Sequence, residues 1–283
     1  MTDDKQLALL ANTIRQDVLK ALTAAGSGHP GGSLGMADIF TALYFHALKH
    51  DPQNPTWQER DRLLLSNGHI CPVMYAAMAH VGYFPTEELM TLRKFGARLQ
   101  GHPHRVALPG IETTSGPLGS GVSQAVGMAL AARLDNKRHH VYVLTSDGEH
   151  QEGNTWEGVM MAAAYKLDNI IQIIDRNNIQ IEGNTEDVMP LDSLRAKYSA
   201  FNWNVREIDG HNFSQIIEAI NWAKDSVGKP TVIIATTVPG RGVSFMEHQY
   251  SWHGKAPKPE ELAAALKELQ TIREQIETNT YDY

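Results

Sequence analysis

The sequence predicts an α/β fold: an open parallel sheet with helices on both faces. Short apolar runs at residues 141–144, 170–174 and 231–237 are separated by segments of helical periodicity, and this alternation is typical of βαβ units. The runs are apolar at nearly every position, which is the pattern of strands covered on both faces. Right-handed crossovers are therefore expected between them.

The individual elements follow from periodicity and from the positions of Gly and Pro. Leu7, Ile14 and Val18 recur on one helical face, whereas the Gly/Pro-rich residues 26–33 are predicted to form a loop. Helices are predicted over residues 5–22, 36–48, 73–80, 122–134, 155–165, 213–227 and 259–278. Strands are predicted over residues 63–65, 141–144, 170–174, 203–208 and 231–237. Since no repeat or interdomain linker is found, residues 1–283 are interpreted as a single domain.

The composition excludes several classes of protein. Of the 283 residues, 42% are hydrophobic and 20% are charged, which is ordinary globular usage and argues against bulk disorder. A net charge of −7 leaves no excess of base for a nucleic-acid surface, and the single cysteine, Cys71, excludes an internal disulfide. Residues 1–5 lack an apolar signal core, and no apolar run approaches the ~18–20 residues that span a bilayer. We therefore expect a cytoplasmic protein without nucleic-acid or membrane partners.

Polar residues follow two of the predicted strands. Asp147 and Gly148 come after the run at 141–144, and Asn177 follows the run at 170–174, one βαβ crossover later. If these strands are neighbours, both side chains meet at the sheet edge where parallel sheets bind ligands. Carboxylate and amide oxygens suit Mg²⁺ or Ca²⁺, and Mg²⁺ prefers few protein ligands plus phosphate oxygens. The dipeptides Asp147-Gly148 and Asn177-Asn178 are each common in ordinary turns after strands. Found together at the spacing of one crossover, they indicate a metal-bound diphosphate.

These residues resemble the thiamine diphosphate-binding motif, and further segments resemble the transketolase family in the family's own order. The matching segments are residues 27–31, 65–69, 101–103, 116–119, 147–153, 242–247 and 252–254. The resemblance implies the diphosphate-binding domain of a transketolase, with thiamine diphosphate and Mg²⁺ as cofactors; Ca²⁺ or Mn²⁺ are alternatives for the metal. Two positions depart from the family: Ser146 replaces a usual glycine, and His150 replaces a commonly apolar residue.

The resemblance also implies which residues hold the metal and the cofactor. Asp147, Asn177 and the carbonyl of Ile179 are expected to bind the metal. The residues expected to contact the cofactor are His69, Gly116, Leu118, Gly148, Glu152, Asn177 and His253. Two alternatives stay open: residues 116–119 also suit plain helix initiation, and a glutamate at position 152 also suits a helix N-terminus.

Three histidines are implied to act on the substrate. His29 and His253 are expected to bind its oxygens and move protons, with His102 near the terminal hydroxyl of the donor; proton transfer suits groups with pKa values near neutrality. Taken singly, a histidine in a loop is more often solvated or hydrogen-bonded to the backbone. Surface or structural positions are expected for His46, His80, His104, His139, His140 and His211.

The implied activity is transfer of a two-carbon ketol unit from a ketose phosphate to an aldose phosphate, as in the pentose phosphate pathway. The pyrimidine-binding and C-terminal domains of a transketolase are expected on a second chain, in a heterotetramer with two copies of each. Three alternatives remain. The chain could be a non-catalytic regulatory chain, one chain of a related enzyme such as 1-deoxyxylulose-phosphate synthase, or a fragment of a longer chain. The donor and acceptor sugars stay open, including specialised branched or sulfonated sugars.

Overall fold

A computed structural model describes residues 3–281. Residues 1–5 were predicted to lack a signal core, and the first two of them, Met1 and Thr2, lie outside the described residues. The strands in chain order are β1 (Arg62–Leu65), β2 (Val141–Ser146), β3 (Ile170–Arg176), β4 (Ile179–Gln180), β5 (Gly183–Asn184), β6 (Asn204–Asp209) and β7 (Thr231–Thr236). Five of them form a parallel sheet in the order β1-β2-β3-β7-β6, while β4 and β5 form a small antiparallel hairpin. The predicted fold class is confirmed.

The helices surround this sheet. They are α1 (Asp4–Ala25), α2 (Pro30–Gly35), α3 (Ala37–Ala42), α4 (Cys71–His80), α5 (Ser120–Leu134), α6 (Gly153–Ala164), α7 (Thr185–Val188), α8 (Leu194–Ala200), α9 (Phe213–Lys224) and α10 (Pro259–Glu277). None of the helices formed by residues 3–281 combines the length and the apolar character that a membrane crossing requires.

The sheet separates two apolar cores. Alternate side chains of β2 point to opposite faces: Tyr142 and Leu144 pack with α1, α3, α4 and α9, whereas Val141 and Val143 pack with α5, α6 and α8. All four are fully buried. A fully buried side chain of this kind stabilises the fold by roughly 1.5–3 kcal/mol. Burial on both faces explains why these runs lack the polar alternation of a one-sided sheet.

The first Gly/Pro-rich segment was predicted to be a loop through residue 33, and this prediction is wrong. α2 begins at Pro30, because a proline at the first helical position lacks only an N–H that would have no partner there. Ser33 Oγ donates to the carbonyl of His29 over 2.7 Å and closes the first turn. The helix predicted over 36–48 is confirmed with a change at its end: α3 begins at Ala37, and from Leu43 to Ala47 the chain continues as a π-helical turn.

Candidate active site

The two polar strand ends meet at the carboxyl-terminal edge of the sheet. β2 and β3 are parallel neighbours with Ser146 opposite Asp175, so Asp147 and Asn177 both lie just beyond that edge. The backbone amide of Asn178 donates to Oδ2 of Asp147 over 2.7 Å. The structure therefore brings the two ends together, as the crossover spacing predicted.

Asp147 is fully buried and held from several sides. Its Oδ1 accepts from the amide of Gly148 over 2.7 Å, and Arg176 Nη1 lies 3.2 Å from Oδ2. Burial raises the pKa of Asp147 to about 6, against the opposing effects of the Asn178 amide and Arg176. Each carboxylate oxygen accepts two hydrogen bonds or metal bonds, so Oδ1 keeps one free acceptor direction. A cation there would compensate the cost of burying this charge.

The amide of Asn177 is oriented by a second buried carboxylate. Asn177 Nδ2 donates to Oδ2 of Asp175 over 2.8 Å, and Asn177 Oδ1 accepts from the amide of Ile179 over 3.0 Å. Thr237 Oγ1 donates to the other oxygen of Asp175. Burial raises the pKa of Asp175 to about 7, and nearby Asp147 contributes in the same direction.

A cavity of about 360 Å³ opens beside these strand ends. The predicted metal, cofactor and substrate residues that line it are His29, His69, His102, Gly116, Leu118, Gly148, Glu152, Asn177, Ile179 and His253. Asp147 is the remaining predicted site residue, and it lies behind Gly148 with no exposed surface. Segments that are up to 224 residues apart in the sequence therefore share one pocket.

Three histidines form a compact cluster at this cavity. The ring centroids of His29 and His69 are 5.0 Å apart, those of His29 and His253 are 5.5 Å apart, and those of His69 and His253 are 5.3 Å apart. Burial, with further contributions from His253, Arg93 and His102, lowers the pKa of His29 to about 4. Burial also lowers the pKa values of His69, His253 and His102. At neutral pH each ring is uncharged, so each offers one donor nitrogen and one acceptor nitrogen.

Sequence reasoning missed Glu149, which lines the same cavity but is fully buried. Its Oε1 accepts from the amide of Gly119 over 2.5 Å and from Oγ of Ser66, and its Oε2 accepts from the amide of Ser146 over 3.2 Å. Burial raises the pKa of Glu149 to about 7, against these three hydrogen bonds. The local signal for this role was a second carboxylate directly after Asp147 and Gly148.

His150, which departs from the family, has a structural role. Its Nδ1 donates to the carbonyl of Ser146 over 2.8 Å, so its Nε2 accepts from the hydroxyl of Tyr198, also over 2.8 Å. Burial lowers the pKa of His150 to about 4, which keeps the ring neutral in this position. His211 is also structural, as expected, because its Nδ1 bonds to Asp38 away from the cavity.

The cavity fits a phosphorylated cofactor with a metal ion. Cβ atoms added at Gly116 or Gly148 would meet no protein atom closer than 3.8 Å, so the backbone there is open to a ligand. Within the described residues, His29 Nδ1 and Gln180 Oε1 are buried polar atoms without a hydrogen-bond partner. No three His, Cys, Asp or Glu side chains among residues 3–281 are grouped to hold a metal unaided. A carboxylate and an amide oxygen form a donor set compatible with Mg²⁺, which takes its other ligands from phosphate and water.

Comparison with known proteins agrees with this geometry. Residues 6–277 match the family described as transketolase, thiamine diphosphate binding domain. The chain is 44% identical over 260 residues to the 6-deoxy-6-sulfo-D-fructose transketolase subunit of Clostridium sp. strain MSTE9, covering 92% of this chain and 94% of that protein. It is 39% identical to one of the subunits of apulose-4-phosphate transketolase from Phocaeicola vulgatus, covering 96% of each chain.

Longer relatives match over part of their length. The chain is 37% identical to transketolase of Homo sapiens over 95% of this chain but only 42% of that protein. The crystal structure of transketolase from Campylobacter jejuni superposes with a TM-score of 0.89 at 35% identity, covering 99% of this chain and 46% of that one. The chain therefore belongs to the transketolase family, of which it carries the thiamine diphosphate-binding domain.

Proposed function

We propose that this chain is the diphosphate-binding subunit of a two-chain transketolase, which transfers a two-carbon ketol unit from a ketose phosphate to an aldose phosphate. The observation that carries the proposal is the convergence of Asn177 and three neutral histidines on one cavity, with Asp147 buried directly behind its wall at the neighbouring strand end. A parallel-sheet edge with these two ligands suits a metal-bound diphosphate, and the histidines suit a polyhydroxylated substrate above it.

The metal and the cofactor would be held along one wall of this cavity. Asp147, Asn177 Oδ1 and the carbonyl of Ile179 would bind Mg²⁺, and the open backbone at Gly148 would face the diphosphate. The other residues proposed to contact the cofactor are His69, Gly116, Leu118, Glu152 and His253. Bound thiamine diphosphate supplies a nucleophilic carbon that can accept and release the ketol unit.

The histidines supply hydrogen bonding and proton transfer. His29 and His253 are neutral at pH 7, so either ring can accept a proton from a substrate hydroxyl and return it to an alkoxide oxygen. His102 lines the same cavity and would donate to the terminal hydroxyl of the donor sugar. Partial burial of His29 and His253 strengthens their hydrogen bonds, because the surrounding dielectric constant is lower than that of water.

A second chain would complete the enzyme. Residues 1–283 are proposed to form only the diphosphate-binding domain, since the chain matches 42% of transketolase from Homo sapiens but 94–96% of two proteins named as subunits. The partner would carry the pyrimidine-binding and C-terminal domains, in a heterotetramer with two copies of each chain. Glu152 lies on the cavity rim, where it would meet that partner.

The identity of the sugars is the finer part of the proposal. Two relatives that match along nearly their whole length are named for 6-deoxy-6-sulfo-D-fructose and for apulose 4-phosphate. We therefore propose that the donor is either an ordinary ketose phosphate of the pentose phosphate pathway or one of these specialised sugars.

Reconstitution tests this function directly. The chain is purified alone and with the product of the neighbouring reading frame, and ketol transfer to ribose 5-phosphate is assayed. The donors are xylulose 5-phosphate, 6-deoxy-6-sulfo-D-fructose and apulose 4-phosphate. We expect no turnover from the lone chain and thiamine-dependent turnover from the pair. Full activity of the lone chain would refute the two-chain proposal, and a chain that only modulates an existing activity would support a regulatory role.

A further inference from the structure

Helix α5 begins without a capping side chain of its own. Its N-cap residue is Gly119, which has a left-handed φ of 82° and no side chain to accept from the first free amides of the helix. Ser66 and Glu149 act instead, from the end of β1 and from the turn after β2. Ser66 Oγ accepts from the amide of Gly121 over 3.0 Å, and Glu149 Oε1 accepts from the amide of Gly119 over 2.5 Å.

Gly119 and Gly121 cannot be replaced by a residue whose own side chain would cap the helix, because a Cβ does not fit at either position. A Cβ at Gly119 would lie 1.9 Å from Oδ1 of Asn154, and a Cβ at Gly121 would lie 2.3 Å from the side chain of Ser66. Both distances are far inside van der Waals contact. No side chain fits at either position, so these amides take their acceptors from outside the helix: Glu149 for Gly119 and Ser66 for Gly121.

The Glu149 carboxylate links three segments at the cavity. Its Oε1 bonds to Ser66 and to the segment that ends at Gly119, while its Oε2 bonds to Ser146 at the end of β2. The segment ending at Gly119 includes Gly116 and Leu118, both of which line the cavity. When Glu149 is ionised, its negative charge at the N-terminus of this 15-residue helix is also favoured by the helix dipole.

The transketolase resemblance implies that residues 116–119 contact the aminopyrimidine ring of the cofactor. We propose that Glu149 is a positioning residue that fixes this segment in place, and that it does not itself take part in the reaction. This inference rests on the proposed function. It assigns the ring-contacting wall of the cavity to one buried carboxylate, separately from Asp147 and Asn177, which face the diphosphate end.

The variant Glu149→Gln keeps the size of the side chain but replaces one acceptor oxygen with an N–H₂ group. All three partners of the carboxylate are donors, so the amide must leave at least one donor unpaired. Glu149→Asp keeps the carboxylate, but the side chain is shorter by one methylene, so the carboxylate lies farther from its three donors. The matched control is Glu112→Gln, which removes a buried carboxylate paired with Arg60 and lies outside the cavity.

The experiment compares two ligands in the reconstituted two-chain complex, each with Mg²⁺: thiamine diphosphate and inorganic pyrophosphate. We expect Glu149→Gln to weaken thiamine diphosphate binding about tenfold or more, which is the scale of a lost hydrogen bond to a charged group. Pyrophosphate binding should change less than about twofold, because it lacks the ring. Hydrogen exchange at the amides of Gly119 and Gly121 should accelerate in the same variant.

Each alternative outcome has a distinct meaning. Equal losses for both ligands, or unchanged exchange at Gly119 with unchanged affinity, would overturn the positioning role. If Glu149→Gln does not fold, Glu149→Asp decides the question: it must show the same preferential loss of thiamine diphosphate affinity, in smaller measure, or the proposal fails. Wild-type protein that binds pyrophosphate but not thiamine diphosphate would instead contradict the proposed function.

Discussion

The Nδ1 atom of His211 donates a hydrogen bond to Oδ2 of Asp38 over 2.7 Å, joining the turn after β6 to helix α3. The Nε2 atom of the same ring accepts from the amide of Val238 over 2.8 Å, which fixes the tautomer. Two residues further on, the amide of Gly240 donates to the carbonyl of Gly31 over 2.9 Å. A buried polar contact on one side of the sheet thus supports the segment that carries His29.

The first prediction concerns the stability provided by Asp38. Burial alone would raise its pKa, but Arg15, 2.5 Å away, and His211 overcome that effect and hold the pKa at about 2. Because this value lies below that of the unfolded chain, Asp38 stabilises the fold fully above pH ~4 and loses its effect as the pH falls toward 2. The difference corresponds to roughly 2 kcal/mol.

Urea unfolding of Asp38→Asn at pH 7 and at pH 3 measures this contribution. The variant should be less stable at pH 7 by about 2–4 kcal/mol, since it leaves Arg15 without its buried partner, and the deficit should shrink at pH 3. Asp187→Asn, at an exposed position, is the control and should match the wild type. A deficit that is independent of pH would show that the loss is steric instead of electrostatic.

The second prediction concerns Asp147. Asp147→Ala removes the charged ligand and should abolish Mg²⁺-dependent binding of thiamine diphosphate while leaving the fold intact. Isothermal titration with and without Mg²⁺ measures this, and far-UV circular dichroism checks the fold. Asp135→Ala, which removes an exposed carboxylate outside this cavity, should bind normally. Unchanged metal-dependent binding in Asp147→Ala would remove Asp147 from the proposed metal site.

The third prediction separates proton transfer from cofactor binding. His29→Ala and His253→Ala should retain most of the affinity for thiamine diphosphate but lower kcat by ~10²–10⁴-fold, which is the usual contribution of a proton-transfer group. His104→Ala is the control, because His104 is exposed on the segment that carries His102. The measurement is the steady-state kcat of the reconstituted two-chain complex. A wild-type kcat in both variants would show that neither ring transfers a proton in the reaction.

The fourth prediction concerns pH. Burial, followed by His253 and Arg93, lowers the pKa of His29 to about 4, so the ring stays neutral well below pH 6.5. With the metal and the cofactor kept saturating, the acidic limb that His29 contributes to kcat/KM should therefore lie below pH 6. Arg93→Leu removes a nearby positive charge, so the pKa of His29 should rise and the limb should move to higher pH. Arg93→Lys keeps the charge and should leave the limb in place; equal shifts in both variants would exclude an electrostatic cause.

Local sequence patterns were sufficient for the main sheet. The runs that became β2, β3 and β7 were predicted to within two residues at each end, because strands covered on both faces must be apolar throughout. α2 was missed because Pro30 and its neighbouring glycines usually interrupt structure. Here Pro30 starts the helix, and packing buries all six of its residues.

The candidate site was predictable in part. The strand-end spacing identified Asp147 and Asn177, since adjacent parallel strands place their ends side by side. Asp175 and Glu149 were not found, because their roles depend on burial by distant segments, including Thr237 and Gly119. Nothing in the local pattern distinguishes a carboxylate that will be enclosed from one that stays in solvent.

The position of β7 has a consequence for biosynthesis. It is the last strand of the parallel sheet in chain order, yet it lies between β3 and β6, and Ile173 pairs with Ile233, 60 residues later. While the chain emerges from the ribosome, one edge of β3 stays unpaired and β6 has no sheet to join until residues 231–236 have been made. A chain stopped before that point would present an apolar edge prone to aggregation. Capture of the cofactor must therefore await the synthesis of β7 and of the segment beyond it that carries His253.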